Sequence, residues 1–140
     1  MKVLIDSNVV LDILLHRQPW YGNAMLIYGL SQRNFIKSYV PASAITDIFY
    51  IAQKQLGKSV AQEAIKRLLS VFYPATVTGN AIYQALNLDW NDFEDAVQFI
   101  VGEGLSVDYI VTRNIQDFSF ASITVVTPEQ LIQTIANIEK

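Results

Sequence analysis

With 140 residues, 51% of them apolar, and a formal charge of −3, the chain is long enough to bury a substantial core as one compact domain over residues 1–140. It is too acidic to hold nucleic acid by bulk positive charge. The absence of cysteine excludes disulfides, zinc-thiolate centres and a thiol nucleophile, and suits a reducing cytoplasm. No apolar run approaches the roughly 20 residues that span a bilayer and the first residues lack a signal-peptide pattern, so a soluble, cytoplasmic protein without membrane contact is expected.

Lys2 to Asp6 reads as a fully buried strand, and Asn8 can cap a helix that runs through Leu15 before Pro19 interrupts it. A second helix is expected from near Pro19 to about Gln32, and Tyr39-Val40-Pro41-Ala42 gives a short strand with proline at its end. From Ser43, the positions Ile45, Ile48, Phe49, Ala52 and Leu56 keep helical spacing until Gly57 stops the run. Ser59 caps a further helix with Ala61, Ala64, Ile65, Leu68 and Leu69, and the two would pair as an αα-hairpin. Ala75-Thr76-Val77 looks like the next strand and Asn80 to Leu88 the next helix.

A helix from about Asp92 shows Phe93, Ala96, Val97, Ile100 and Val101 on one stripe and should end near Gly102 and Gly104. Tyr109-Ile110-Val111-Thr112 and Ile123-Thr124-Val125-Val126 read as strands, and Pro128 starts a final helix with Leu131, Ile132, Ile135 and Ile138. Strands alternating with helices predict an α/β fold, a mainly parallel sheet covered on both faces. Charge is unevenly spread along it. Arg33, Lys37, Lys54, Lys58, Lys66 and Arg67 crowd the second quarter, whereas no Lys or Arg occurs from Val71 to Thr112.

Four aspartates fall where these elements would deliver them to one edge of the sheet: Asp6, Asp47, Asp95 and Asp117. Strand ends of this kind carry chemistry in open α/β sheets. Each also has an ordinary explanation. Asp6, at the end of Val3-Leu4-Ile5, could simply accept N–H groups of the helix that follows. Asp47 lies off the apolar stripe of its helix, on a face shared with Tyr50, Ile51 and Lys54. Asp92 and Glu94 sit in a first helical turn, where acids stabilise by roughly 0.3 to 1 kcal/mol without any function. Asp95 is followed by the small Ala96, which lets this turn pack closely against a strand. The segment Thr112-Arg113-Asn114-Ile115-Gln116-Asp117-Phe118 places hydroxyl, amide and carboxylate oxygens just after a buried strand, although Asn and Asp are also common turn residues.

Two carboxylates about 4 Å apart repel by about 4 kcal/mol at an effective dielectric near 20, so a cluster of them needs a cation or gains protons. Hard cations with oxygen ligands, Mg²⁺ or Mn²⁺, suit such a cluster. With no Cys and a single His16, to which a helix-end or surface role falls, zinc does not.

Together these segments resemble the PIN domain, a family of small metal-dependent ribonucleases that includes the toxins of many bacterial toxin-antitoxin pairs. The resemblance covers nearly the whole chain. It is carried by Ile5-Asp6-Ser7-Asn8-Val9-Val10-Leu11-Asp12, by Asp92-Phe93-Glu94-Asp95-Ala96, and by Asp108-Tyr109-Ile110-Val111-Thr112-Arg113-Asn114 followed by Asp117-Phe118. It implies a PIN-like three-layer α/β fold with about five strands. Asp6 would be the first acid, Asp95 the third and Asp117 the fourth, with Asn8, Thr112 and Asn114 as supporting polar groups. The second family acid is usually a glutamate; none occurs between Pro41 and Gly57, and Asp47, one methylene shorter, is the acid present there. The implied activity is hydrolysis of an RNA phosphodiester with Mg²⁺ or Mn²⁺, leaving a 5′-phosphate and a 3′-hydroxyl. Implied partners are RNA, a cognate antitoxin and a second copy of the chain in a homodimer.

Arg113 is adjacent to the acids by sequence, and Arg17 could border the same cleft, so both are expected to bind substrate. Arg33, Lys37 and Lys54 would join them if their helices reach it. Trp20 and Tyr21 could stack on a base or serve core packing. Two rivals stay open. An aspartyl phosphotransferase would use Asp6 as nucleophile, but usually wants an acid two residues on, where Asn8 stands, and a later lysine that this chain lacks between Arg67 and Lys140. A PIN domain weakened by Asp47 would act instead as an RNA-binding or protein-interaction module.

Overall fold

The computed structural model describes residues 1–119 and 121–138. Five strands, β1 (Lys2–Ile5), β2 (Lys37–Pro41), β3 (Tyr73–Ala75), β4 (Tyr109–Val111) and β5 (Thr124–Val126), form one sheet in the order β3-β2-β1-β4-β5, and every pairing is parallel. Seven α-helices accompany them among the described residues: α1 (Ser7–Leu14), α2 (Tyr21–Gln32), α3 (Ala42–Leu56), α4 (Lys58–Leu69), α5 (Gly79–Leu88), α6 (Phe93–Leu105) and α7 (Pro128–Ile138).

Strand order decides which face each helix covers. Parallel crossovers are right-handed almost without exception, so reversing the direction of travel across the sheet changes the face on which the connection lies. The chain steps from β1 to β2 to β3 in one direction, and α1 to α4 pack on one side with Val3, Ile5, Val40 and Val111. It then crosses back to β4 and β5, and α5 and α6 cover the other side with Leu4 and Ile110. Alternation of Val3 and Ile5 against Leu4 is the two-residue period of a strand buried on both faces. Each such side chain, fully withdrawn from water, stabilises the fold by about 1.5–3 kcal/mol.

The sheet is the mainly parallel one expected, and the boundaries moved by a few residues for local reasons. β1 stops at Ile5, and Asp6 rather than Asn8 occupies the N-cap position of α1. α2 starts at Tyr21, and β2 extends back to Lys37, which pairs with Lys2. β3 lies two residues before the expected Ala75–Val77, because its partners on β2 are Tyr39, Val40 and Pro41. Pro74, which has no N–H, is tolerated there because β3 is an edge strand. Gly57, at φ 82°, both ends α3 and caps α4 in place of Ser59, a left-handed turn that suits glycine. α5 begins where Thr78 Oγ1 accepts the Ala81 N–H at 3.0 Å.

α6 runs through both Gly102 and Gly104 to Leu105 instead of ending at them. The reason is close approach. A Cβ on Gly102 would stand 3.2 Å from Val107 Cγ2 and 3.4 Å from Leu4 Cδ2, so the missing side chain lets α6 lie tightly on β1. That packing brings the N-terminal turn of α6 to the sheet edge where β1 ends. Between β4 and β5 the described residues of the connection form a 3-10 turn, Ile115–Phe118, anchored by the buried Phe118.

Candidate active site

β1 lies at the centre of the sheet, with travel toward β2 on one side and toward β4 on the other. The carboxyl ends of β1 and β4 therefore flank the topological switch point, the usual place for a ligand crevice in such sheets. Asp6 leaves β1 there and Thr112 leaves β4. Backbone pairing holds both: Asp6 N–H donates to the Val111 carbonyl at 2.9 Å and Thr112 N–H to the Val126 carbonyl at 2.9 Å.

Although Asp6 sits at the N-cap position of α1, its side chain makes no capping bond. Its carboxylate turns to two donors brought from elsewhere in the chain. Gln98 Nε2, on α6, donates to Oδ1 at 3.0 Å, and Thr112 Oγ1 donates to Oδ2 at 2.8 Å. The Thr112 hydroxyl also accepts the Asn114 N–H at 3.1 Å. Asp6, Gln98 and Thr112 are all buried. A second tie joins the same elements, from Ser7 Oγ at the start of α1 to Glu94 Oε1 at the start of α6, at 2.7 Å.

Beside this lies a cleft of about 500 Å³, walled by Trp90, Asn91, Asp92, Asp95, Gln116 and Asp117. Asp92 caps α6, accepting the Asp95 N–H at 3.0 Å, which accounts for its place in the sequence. Asp95 is the electrostatic focus. Burial first, then the charges of Asp92, Asp6, Asp117 and Glu94, push its carboxyl up to about 7. Asp6 does not line the cleft, yet its charge acts on Asp95. Asp6, Asp95 and Asp117 are thus brought together, with Thr112 and Asn114 on the Asp6 side. Asp47 is exposed on α3, outside the lining of the cleft and outside the charges that perturb Asp95, and makes no hydrogen bond or ion pair among the described residues. Asn8 is half-buried in the first turn of α1.

On the other side of Asp6 stands a carboxylate of opposite character. Asp12, on α1, is 1% exposed and faces Arg113 Nε at 3.0 Å and Arg17 Nη1 at 3.9 Å. Despite the short separation neither Asp12 oxygen nor Arg113 Nε has a well-aligned hydrogen bond, so the pair is held by charge more than by directed bonding. Burial raises the Asp12 carboxyl above its ordinary value, while Arg113 and Arg17 pull it down and Asp6 pushes it up. The Arg113 guanidinium also lies 3.8 Å over the ring of Trp20. Arg17 and Arg113, read from the sequence as substrate contacts, thus converge on Asp12. His16 packs on Tyr21 with ring centres 4.5 Å apart.

Two groups escaped the sequence reading. Gln98 carries the signal of an amide inside the apolar run Ala96 to Val101, which a buried position must justify by a partner. Asp12 shows the same signal inside Val9 to Leu14, but the tighter of its two arginine partners, Arg113, lies about a hundred residues on.

The donor set is all oxygen, and four acids act on Asp95, chemistry that suits a hard divalent cation. In the conformation seen, no three His, Cys, Asp or Glu among the described residues converge tightly enough to hold an ion.

The sequence profile of the PIN domain matches residues 2–116. The chain belongs to the PIN domain family. No curated protein matches it in sequence. Its fold is shared with a toxin-antitoxin complex from Klebsiella pneumoniae (TM-score 0.68, 18% identity, covering 90% of this chain and 97% of that one). VapBC2 from Rickettsia felis, bound to a promoter DNA fragment, is similar at a TM-score of 0.66 and 15% identity, covering 90% and 97%. The Mycobacterium tuberculosis toxin VapC20, which cleaves the sarcin-ricin loop, is similar at 0.63 and 15%, covering 77% and 86%. Within this PIN domain, Asp6, Asp95 and Asp117 gather at the switch point, and no described helix is long and apolar enough to cross a membrane.

Proposed function

We propose that this PIN domain is an endoribonuclease that hydrolyses RNA phosphodiesters with Mg²⁺ or Mn²⁺ held by Asp6, Asp95 and Asp117. The observation that carries the reading is the placement of the buried Asp95 on the cleft beside Asp117 and near Asp6, whose charges both act on it. A divalent cation bound there would lower the pKa of an attacking water and offset charge on the phosphate oxygens. The protein's own part is positioning. Gln98 and Thr112 fix the direction of the Asp6 carboxylate, and Asp95 must release its proton before it can act as a ligand. Asp117, exposed on the 3-10 turn, lines the same cleft as Asp95. Arg17, loosely held at 3.9 Å and partly exposed, can swing from Asp12 toward a phosphate.

Purified protein should cut single-stranded RNA with Mg²⁺ or Mn²⁺, stop with EDTA, and leave 5′-phosphate and 3′-hydroxyl ends. Recovery of 2′,3′-cyclic phosphate, or cleavage that survives EDTA, would sink the mechanism. The fold shared with the Klebsiella pneumoniae toxin-antitoxin complex and with the toxin VapC20 supports a toxin role with a cognate antitoxin, in a reducing cytoplasm. Growth arrest on expression, relieved by the product of a neighbouring reading frame, tests this, and sedimentation of the purified chain tests the homodimer.

A second reading, a domain that binds RNA or a protein partner without cutting, is favoured by Asp47, which stands exposed where the family usually has a longer acid. Calorimetry with Mn²⁺ separates the two, because a binding module has no need of the ion.

A further inference from the structure

We infer that Arg113 is a positioning residue rather than a contact for the RNA: Asp12 and Trp20 clamp its guanidinium, and the clamped side chain fixes the segment that holds Thr112 against Asp6. The inference rests on the ribonuclease reading for its kinetic consequences but not for its structural ones. Four observations converge. Arg113 Nε lies 3.0 Å from an Asp12 oxygen in a pair that is 19% and 1% exposed. Its guanidinium carbon is 3.8 Å from the Trp20 ring centre, so one planar face is covered. Thr112, the preceding residue, donates to Asp6 Oδ2 at 2.8 Å and is fully buried. Asn114, the following residue, returns its N–H to the Thr112 hydroxyl at 3.1 Å.

A guanidinium anchored on both a buried carboxylate and an aromatic face has little freedom to follow a phosphate, because leaving would strand Asp12 in a site that already disfavours its charge. β4 ends at Val111, and residues 112–114, ahead of the 3-10 turn, belong to no strand or helix, so their backbone lacks that support. The Arg113 side chain supplies that support from α1 and from the loop before α2. Acting through Thr112, it sets the direction of the Asp6 carboxylate, as outer groups set metal ligands generally. Arg17, held at 3.9 Å on the same Asp12, is left as the arginine able to move.

Arg113→Ala, Trp20→Leu and Arg17→Ala are compared with the parent by steady-state RNA cleavage, Mn²⁺ calorimetry and amide exchange at Asn114 resolved by NMR. Arg113→Ala should lower kcat and Mn²⁺ affinity about tenfold, leave KM and its salt dependence within about twofold, and speed Asn114 exchange. Trp20→Leu, which keeps the ion pair and guards against a failure of Arg113→Ala to fold, should move the same quantities the same way by less. Arg17→Ala should instead raise KM and flatten its salt dependence with Asn114 exchange unchanged. A raised KM with retained kcat in Arg113→Ala, or unchanged exchange at Asn114 in both clamp variants, overturns the inference. If the parent neither cleaves RNA nor binds Mn²⁺, the ribonuclease reading fails alone, and the exchange measurement still decides the clamp.

Discussion

Asp12, in the last turn of α1, and Asp95, in the first turn of α6, are both buried aspartates, both are close enough to Asp6 to feel its charge, and burial is the largest influence on each. They differ in company. Around Asp12 the next influences are two arginines that restore the charged form; around Asp95 they are four more acids that oppose it. Burial alone therefore does not separate a structural carboxylate from one poised for chemistry. The sign of the surrounding charge does: a neutralised pair locks a fold, whereas unrelieved repulsion marks a place where a cation or proton is wanted.

The contrast can be broken most forcefully on Asp6, which serves both sides. Asp6→Asn should lower RNA cleavage on the order of 10³-fold, about 4 kcal/mol of barrier. Its metal-free melting temperature should move little, because relief of repulsion on Asp95 is offset by loss of a charge-assisted bond from Gln98 or Thr112. Cleavage within tenfold of the parent would remove Asp6 from the site.

Next in size, Asp12→Ala should destabilise the protein by about 3 kcal/mol in urea denaturation, because it leaves the half-buried Arg113 without its carboxylate. Asp117→Ala, on the exposed turn, should leave stability nearly unchanged while reducing activity. Equal stability losses in the two would erase the distinction between the regions.

The pH dependence of the metal-free protein sharpens the electrostatic half. Asp95 has its folded value raised to about 7 from an ordinary 3.8, so between those values the folded state binds more protons than the unfolded chain. Its contribution is present below about pH 4 and is lost as pH rises to about 7, on the order of 2 kcal/mol once water in the cleft screens it. Asp12, raised as well, adds a change of the same sign. Asp95→Asn should flatten the curve and raise the apo melting temperature at pH 8, while Mg²⁺ should stabilise the parent more than the variant. Thermal melts from pH 4 to 8, with and without Mg²⁺, measure this. An unchanged slope in Asp95→Asn would place the titration elsewhere.

Smaller effects follow at two further positions. Gln98→Leu should cost about tenfold in Mn²⁺ affinity yet leave the fold nearly as stable, since Gln98 Oε1 is itself buried without a partner and its removal offsets the lost bond to Asp6. Asp47→Ala should weaken Mn²⁺ binding only severalfold, and Asp47→Glu should retain or strengthen it, because the longer side chain reaches farther from the exposed face of α3. Calorimetry reads both, and identical affinity in parent and Asp47→Ala would leave Asp47 a solvated helix residue.

The apolar patterning of the chain by itself determined the order of strands and helices, the parallel α/β class and the delivery of Asp6 and Thr112 to strand ends, since a strand buried on both faces and an amphipathic helix each write a local period. Glycine and proline positions were harder to read locally: Gly102 resembles a helix end in sequence, and only its distance to Leu4 and Val107 shows a contact that needs no side chain. Side-chain partnership lay beyond the sequence altogether. Asp12 and Arg113 stand about a hundred residues apart, as do Asp6 and Thr112, and the fold joins them because the sheet pairs β4 with β1 across that span of chain. For the same reason Arg113, a free cation in the sequence, becomes a clamped one in the structure: charge is a property of the residue, but its availability depends on what packs against it.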